Sequence, residues 1–159
     1  MLELIQVYDG PRLAEIHSLF LEYAESLGFN LDFQDFENEL KRLPGDYAPP
    51  DGRIFLALHD GQPAGCVALR EIEGGICEMK RMYVKAAFRG HRIGRTLAET
   101  IIAEAMEIGY SRIRLDTMSS MNEAIALYRS LGFREIEPYR YNPIPGAAFM
   151  ELEIPRGAP

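Results

Sequence analysis

Hydrophobic residues recur at helical spacing in two long segments of the chain. The first segment places its apolar positions at Leu13, Ile16, Phe20, Ala24 and Leu27. The second runs from position 93 to 108 with the same period. Gly28 and Gly109 follow these segments directly, and glycine commonly ends a helix. The pattern therefore predicts two amphipathic helices, with a shorter helix over 32–42 that ends before Pro44.

Three apolar runs between these helices have the length and composition of strands. The runs at 54–58 and 64–69 are separated by Asp60-Gly61, which is a hairpin turn signal. Gly74-Gly75 then leads into a third run over 76–84. The sequence therefore predicts three strands in a meander, followed by the helix over 93–108.

The remainder of the chain contains more short strands and one further helix. Strands are predicted at 112–116, 134–136 and 148–154. The segment 120–123 has the spacing of a capping box, which predicts that a helix starts there. Because strand, helix and strand follow one another from 76 to 116, one strand pair is expected to be parallel, and the fold class is α/β. We predict one domain over 1–154 and a frayed tail over 155–159.

Composition narrows the possible classes of protein. With 47% hydrophobic and 26% charged residues, the chain resembles an ordinary globular protein. It shows no leader pattern and no apolar run near the roughly 18 residues of a membrane span, so we expect a cytoplasmic protein without membrane contact. Cys66 and Cys77 lack a C-x-x-C spacing and neighbouring histidines, so no metal site is predicted. A net charge of −7 argues against a nucleic-acid partner.

Positive charge is concentrated between positions 80 and 95. This segment contains six Lys and Arg residues, His91 and no carboxylate. It joins a predicted strand to a predicted helix, where unpaired backbone N–H groups and the helix dipole favour an anion. Gly90 and Gly94 would let the backbone approach such a ligand closely. We therefore predict a polyphosphate site, with a solvated basic turn as the alternative. The segment lacks the Lys-Ser/Thr pair of a Walker loop and the three glycines of a dinucleotide-binding loop, so neither of these phosphate loops is predicted.

Two motifs resemble those of the GCN5-related N-acetyltransferases. Arg89-Gly90-His91-Arg92-Ile93-Gly94 is similar to the Q/R-x-x-G-x-G/A signature of that family, although Arg92 stands where the family usually has its first motif glycine. The later segment combines Asn122 with Leu127-Tyr128 and ends at Gly132-Phe133, like the family's second motif. Together the two motifs carry the resemblance over most of the chain.

The resemblance implies a fold and a donor substrate. The expected fold is a mixed, mostly antiparallel sheet of six or seven strands with about four helices. The sheet is expected to splay between the strand before residues 88–95, here called the basic loop, and the strand after the following helix. The expected donor is acetyl-coenzyme A. By the resemblance, its binding residues are Met82, Tyr83, Val84, Arg89, Gly90, His91, Arg92, Ile93, Gly94, Arg95, Asn122 and Tyr128.

The chemistry of acyl transfer suggests two catalytic side chains. An amine with a pKa of about 10.4 is mostly protonated at neutral pH and must lose a proton before it attacks a thioester. Glu78 resembles the family's general base in position and is predicted to take the amine proton, with a structural ion-pair partner as the alternative. Strand alternation places Glu78, Lys80 and Met82 on one face and Met79, Arg81 and Tyr83 on the other. Tyr128 is predicted to protonate the departing thiolate, with a core aromatic as the alternative.

The acceptor is less constrained by the sequence than the donor. We expect direct transfer to a primary amine of a small molecule. A protein N-terminus or lysine is the alternative acceptor, and a non-catalytic acyl-CoA-binding module is the alternative function. A homodimer through edge strands is compatible with the sequence. The candidate substrate-side residues are Phe29, Phe33, Tyr139, Tyr141 and Asn142.

Overall fold

A computed structural model describes residues 1–28, 30–31 and 35–155. Its helices are α1 (Arg12–Ser26), α2 (Phe36–Arg42), α3 (Ile93–Ile108) and α4 (Asn122–Ser130). Its strands are β1 (Leu2–Gln6), β2 (Arg53–His59), β3 (Gln62–Glu73), β4 (Ile76–Val84), β5 (Arg112–Met118), β6 (Arg134–Ile136) and β7 (Ala147–Glu153). The helix start predicted at Asp32 and most of the predicted tail lie outside the described residues.

The seven strands form one mixed sheet with helices on both faces. The strand order is β1-β2-β3-β4-β5-β7-β6, and all neighbouring pairs are antiparallel except β4 with β5. Ile16 and Phe20 of α1 and Phe36 of α2 pack on one face of the sheet. Leu97 of α3 and Tyr128 of α4 pack on the other face. The predicted α/β class, strand number and helix number are confirmed.

The predicted C-terminal ends of α3 and α4 are confirmed, whereas the predicted cap at the start of α4 is not. Gly109 ends α3 with φ 108°, in the left-handed region that glycine adopts most easily. Gly132 has φ 103° after α4, and the N–H of Phe133 donates to the Tyr128 carbonyl at 3.0 Å. The predicted capping box is wrong, because the N-cap of α4 is Met121 and no side chain caps it.

A β-bulge interrupts β4 at Arg81. Lys80 pairs with Ala68 and Tyr83 with Cys66, so two residues of β4 lie opposite one of β3. Arg81 has φ 58°, a left-handed conformation that is rare for a side chain of this size. The bulge leaves little room on β3, where a Cβ on Gly65 would lie 2.5 Å from the Tyr83 carbonyl oxygen.

The bulge changes which side chains share a face of the sheet. Met79 and Met82 both pack on the α3 side. Arg81 contacts Glu39 of α2, and Tyr83 packs on the α1 side. The predicted alternation along β4 is therefore wrong beyond Lys80, because the inserted residue reverses the face of every later side chain.

The parallel pair separates part of the way along. β4 and β5 pair at Ile76 with Arg112, Cys77 with Ile113 and Glu78 with Arg114. Beyond this point β4 continues to Val84 and β5 to Met118 without pairing each other. The predicted splay is confirmed, and it opens the sheet at its centre.

Candidate active site

A cleft of about 520 Å³ fills the gap between the separated strands. The basic loop and the start of α3 border it, and α1 and α4 line its other sides. The lining residues from the two strands are Met79, Lys80, Arg81, Met82, Tyr83 and Val84 of β4 and Leu115, Asp116, Thr117 and Met118 of β5. Met82, Tyr83 and Val84, predicted to bind the donor, thus lie on the cleft wall.

The basic loop places a helix N-terminus beside the cleft. α3 begins at Ile93, and Ile93 and Gly94 both line the cleft. Gly90 has φ 88° and Arg92 has φ 60°, so the loop turns through two left-handed residues before the helix starts. A left-handed conformation disfavours a side chain by roughly 1–2 kcal/mol, which explains why a glycine would suit position 92. The first turn of α3, with its unpaired N–H groups, is therefore available to an anion in the cleft.

The predicted cofactor residues divide into two groups. Arg89, Gly90 and Arg92 line the cleft together with the start of α3. His91 instead packs against His59, with ring centroids 4.8 Å apart. Arg95 donates to the Ser130 hydroxyl at 3.0 Å. The structure thus places His91, Arg95 and the exposed Asn122 outside the cleft lining.

Tyr128 lies on the cleft wall with its ring buried. Its side chain packs against Phe133, and 7% of the residue is exposed. Burial raises the pKa of the Tyr128 hydroxyl above its ordinary value, and the nearby Tyr23 and Asp116 add to this effect. Like an ordinary tyrosine, Tyr128 is protonated at neutral pH, and its place on the cleft wall makes it a candidate proton donor.

Glu78 occupies a different environment from Tyr128. It is fully buried on β4 and is absent from the cleft lining. Its carboxylate accepts hydrogen bonds from Arg70 at 3.1 Å and from the Tyr139 hydroxyl at 2.6 Å, and it pairs closely with Arg140. The Lys80 ammonium lies 3.7 Å from the same carboxylate. These are the contacts expected of the ion-pair alternative, while the role of general base stays a prediction for Glu78.

The basic residues next to Glu78 reach the cleft. Lys80 lines the cleft and is almost fully buried. Burial, together with the positive charge of the neighbouring Arg81, lowers the pKa of Lys80 to about 7. Arg81 also lines the cleft. Its Nε and Nη2 atoms each donate to one carboxylate oxygen of Glu39 at 2.8 Å.

Asp116 is a cleft carboxylate that sequence reasoning missed, and Glu123 also lines the cleft. Asp116 lies on β5 beyond the last pairing with β4 and is half-buried. The Asn142 side-chain N–H donates to the Asp116 carboxylate at 3.2 Å, and the side-chain Oδ1 of Asn142 accepts from the Ile144 backbone N–H at 3.0 Å. A usable signal was present, since Asp116 follows the alternating apolar positions Ile113 and Leu115 at the end of a predicted strand.

The other substrate-side candidates are not gathered in the cleft. Asn142 lines it, whereas Tyr139 hydrogen-bonds to Glu78 and Tyr141 is 75% exposed. Phe29 and Phe33 lie outside the described residues.

Both cysteines are buried free thiols. Burial raises the pKa of Cys77 to about 12 and raises that of Cys66 as well, so neither thiol ionises readily. Over residues 1–28, 30–31 and 35–155, no group of His, Cys, Asp and Glu side chains could hold a metal ion. None of the helices described is long and apolar enough to cross a bilayer.

Comparison with known proteins relates both the sequence and the fold to acetyltransferases. Residues 6–133 match the Acetyltransferase (GNAT) family. A Schizosaccharomyces pombe protein named an uncharacterized N-acetyltransferase is 40% identical over 144 residues, which span 89% of this chain and 88% of that protein. An N-acetylaspartate synthetase of Xenopus tropicalis is 31% identical over 145 residues, covering 91% of this chain and 51% of the relative.

A solved structure gives the same relationship at the level of the fold. A GNAT-family acetyltransferase from Staphylococcus aureus superposes with a TM-score of 0.79 and 20% sequence identity. The match covers 98% of this chain and 100% of that one. At this identity, the likeness concerns the fold.

Proposed function

Since the chain belongs to the GNAT family of acetyltransferases, we propose that its cleft binds acetyl-coenzyme A and that the acetyl group passes directly to a primary amine of a small molecule. The separation of β4 from β5 beyond Glu78 carries this proposal. It opens a cleft that has a helix N-terminus at one side and a tyrosine and a carboxylate at another.

The residues at the start of α3 fit the phosphates of the donor. The N–H groups of Ile93 and Gly94 belong to the unpaired first turn, and the helix dipole favours negative charge there. Arg89 and Arg92 add two guanidinium groups to the same part of the cleft lining. The left-handed backbone at Arg92 is unfavourable for a residue with a side chain, and the interaction of its guanidinium group with the phosphates would offset this cost.

The unpaired part of β4 fits the extended arm of the donor. Backbone groups of Met82, Tyr83 and Val84 face a gap where a parallel partner strand is missing, so the arm can bind as an added strand. When bound, acetyl-coenzyme A supplies a thioester whose carbonyl carbon accepts the amine. A backbone N–H at Met82 or Tyr83 would stabilise the negative charge that develops on the acetyl oxygen.

We assign removal of the amine proton to Asp116. It is a carboxylate of the cleft lining, and Asn142 holds it in place. Glu78 is the weaker candidate, because its carboxylate is fully buried and already surrounded by Arg70, Arg140 and Tyr139. A base that is to take a proton must come within hydrogen-bonding distance of the amine, directly or through a water molecule.

Tyr128 is proposed to protonate the departing thiolate. Its hydroxyl is protonated at neutral pH, as an ordinary tyrosine hydroxyl is, and burial raises its pKa above that ordinary value. Among the described residues, no side chain forms a hydrogen bond with that hydroxyl, which leaves it able to donate to a ligand. Neither buried cysteine lies on the cleft lining, so an acetyl-cysteine step is not part of the proposal.

A small-molecule acceptor is favoured over a protein acceptor by one comparison. The relative from Xenopus tropicalis is named for the synthesis of N-acetylaspartate, which is an acetylated small molecule. A non-catalytic binding module would have no use for a proton acceptor and a proton donor in the same cleft, whereas an acetyltransferase needs both.

Thiol release tests the proposed reaction. The protein is mixed with acetyl-coenzyme A and single amines chosen from amino acids, polyamines, aromatic amines and lysine peptides, and donor binding is measured separately by calorimetry. We expect release that depends on a small amine and greatly exceeds hydrolysis. Binding without release from any amine would favour the binding module, release with peptides alone would favour a protein substrate, and absence of binding would contradict the proposal.

A further inference from the structure

A cluster of cations surrounds Glu78, and one member of it, Lys80, lines the cleft. Arg70 and Arg140 both pair with the Glu78 carboxylate, and the Lys80 ammonium lies 3.7 Å from it. Arg70 also reaches the exposed Asp46 at 3.7 Å. Two guanidinium groups therefore share one buried carboxylate, in a place where positive charge is poorly hydrated.

Arg140 retains a buried hydrogen-bond donor that the described residues do not satisfy. Its Nε is inaccessible to solvent, and no acceptor contacts it within the described part of the chain. Burial, together with the positive charge of the neighbouring Arg70, lowers the pKa of Arg140 to about 10. Both observations indicate that the cluster would be stabilised by an additional anion.

The cluster adjoins the position proposed for the amine. Lys80 belongs both to the cluster and to the cleft lining. The charge of Asp116 is close enough to Lys80 to oppose the lowering of its pKa. Asn142, which holds Asp116, follows Arg140 by two positions in the same loop. A cation and the proposed base thus flank the same part of the cleft.

We propose that the acceptor carries a carboxylate next to its amine, as an amino acid does, and that Lys80 binds this carboxylate with Arg70 and Arg140 supporting it. The inference rests on the proposed function, because it describes the acceptor of that reaction. Asp116 would face the amine, and Lys80 the carboxylate. Each charged group of the acceptor would then lie beside a protein group of opposite charge.

Pairs of amines that differ only in the carboxylate test this inference. Phenylalanine is compared with phenethylamine, and glycine is compared with glycinamide, using thiol release by the whole protein. We expect kcat/KM for the best carboxylate-bearing acceptor to exceed that of its carboxylate-free partner by at least about tenfold, which corresponds to one charge-assisted contact.

Variants separate binding of the carboxylate from other roles of Lys80. Lys80→Gln should raise KM for the carboxylate-bearing acceptor about tenfold or more and leave acetyl-coenzyme A affinity unchanged, while Lys80→Arg should restore part of the loss. Arg140→Gln should act in the same direction. Arg134→Gln is the matched control, since Arg134 is exposed, pairs with the exposed Glu153 and is not part of the cleft lining.

The outcomes distinguish this inference from the proposed function. Equal kcat/KM for both members of every pair would overturn the inference and leave the acetyltransferase reaction intact. A loss of kcat in Lys80→Gln and in Lys80→Arg, at unchanged KM, would also overturn it and would make Lys80 a proton-transfer group. Absence of release with every amine would instead refute the proposed function.

Discussion

Tyr128→Phe is expected to lower kcat by on the order of 10²-fold while the affinity for acetyl-coenzyme A changes little. The substitution removes the only proton donor assigned to the departing thiolate, and general acid catalysis contributes roughly 10²–10⁴-fold. The ring of Tyr128 remains packed against Phe133, so the fold and the cleft wall should be preserved. Steady-state kinetics and calorimetric titration of coenzyme A provide the two readouts.

Tyr110→Phe is the control for the loss of a buried tyrosine hydroxyl. Tyr110 is 5% exposed, and its hydroxyl donates to the Asp51 carbonyl at 2.6 Å, away from the cleft lining. Its removal should reduce stability by about 1 kcal/mol and leave kcat unchanged. If Tyr128→Phe kept the wild-type kcat, Tyr128 would have no part in the chemistry.

Asp116→Asn should lower kcat/KM at neutral pH by on the order of 10²-fold or more. Without the carboxylate, the reaction depends on the small fraction of amine that is already neutral. That fraction rises about tenfold per pH unit below the amine pKa of about 10, so the variant should recover activity as the pH is raised. The pH profile of kcat/KM therefore tests the assignment, because a variant that is merely misfolded would not recover.

Glu78→Gln is the matched comparison for Asp116→Asn. Removing the charge of Glu78 leaves Arg70 and Arg140 without their shared carboxylate, and breaking a buried ion pair in this way destabilises by roughly 3–5 kcal/mol. We expect a lower denaturation midpoint and no recovery at alkaline pH. The opposite pattern, with alkaline recovery in Glu78→Gln and normal activity in Asp116→Asn, would return the role of base to Glu78.

The sequence predicted the features that depend on local periodicity. The apolar spacing of α1 and α3, the Asp60-Gly61 turn and the order of strands around the basic loop were all recovered from neighbouring residues. Family membership followed from two short motifs, and it is confirmed by the match over residues 6–133. Each of these signals depends on residues close together in the chain, so it can be recognised from the sequence alone.

The features missed by the sequence depend on contacts between distant segments. The bulge at Arg81 is accompanied by a bidentate pairing with Glu39 and a glycine opposite the bulge at position 65, and neither partner is near in sequence. Alternation along β4 was therefore wrong beyond Lys80. The ion cluster at Glu78 likewise requires Tyr139 and Arg140, which reach it from a loop 61 and 62 positions away.

Asp116 was missed for a related reason. As the last residue of a predicted strand, it carried no more weight than the many other carboxylates of an acidic chain. Asp116 lines the cleft because β4 and β5 stop pairing at Glu78 and Arg114, two residues before it. This early end of the pairing could not be located from the sequence. The splay was expected from the family resemblance, but its exact depth was not.

Hydrogen exchange of the backbone amides, with and without coenzyme A, tests most directly that the gap between β4 and β5 is the donor site. We expect slower exchange at Met82–Val84 and over 90–95 when coenzyme A is bound, with no change in the short helix Gly45–Tyr47, which lies away from the cleft lining. Protection confined to other segments, or binding without protection of β4 and the basic loop, would contradict the account.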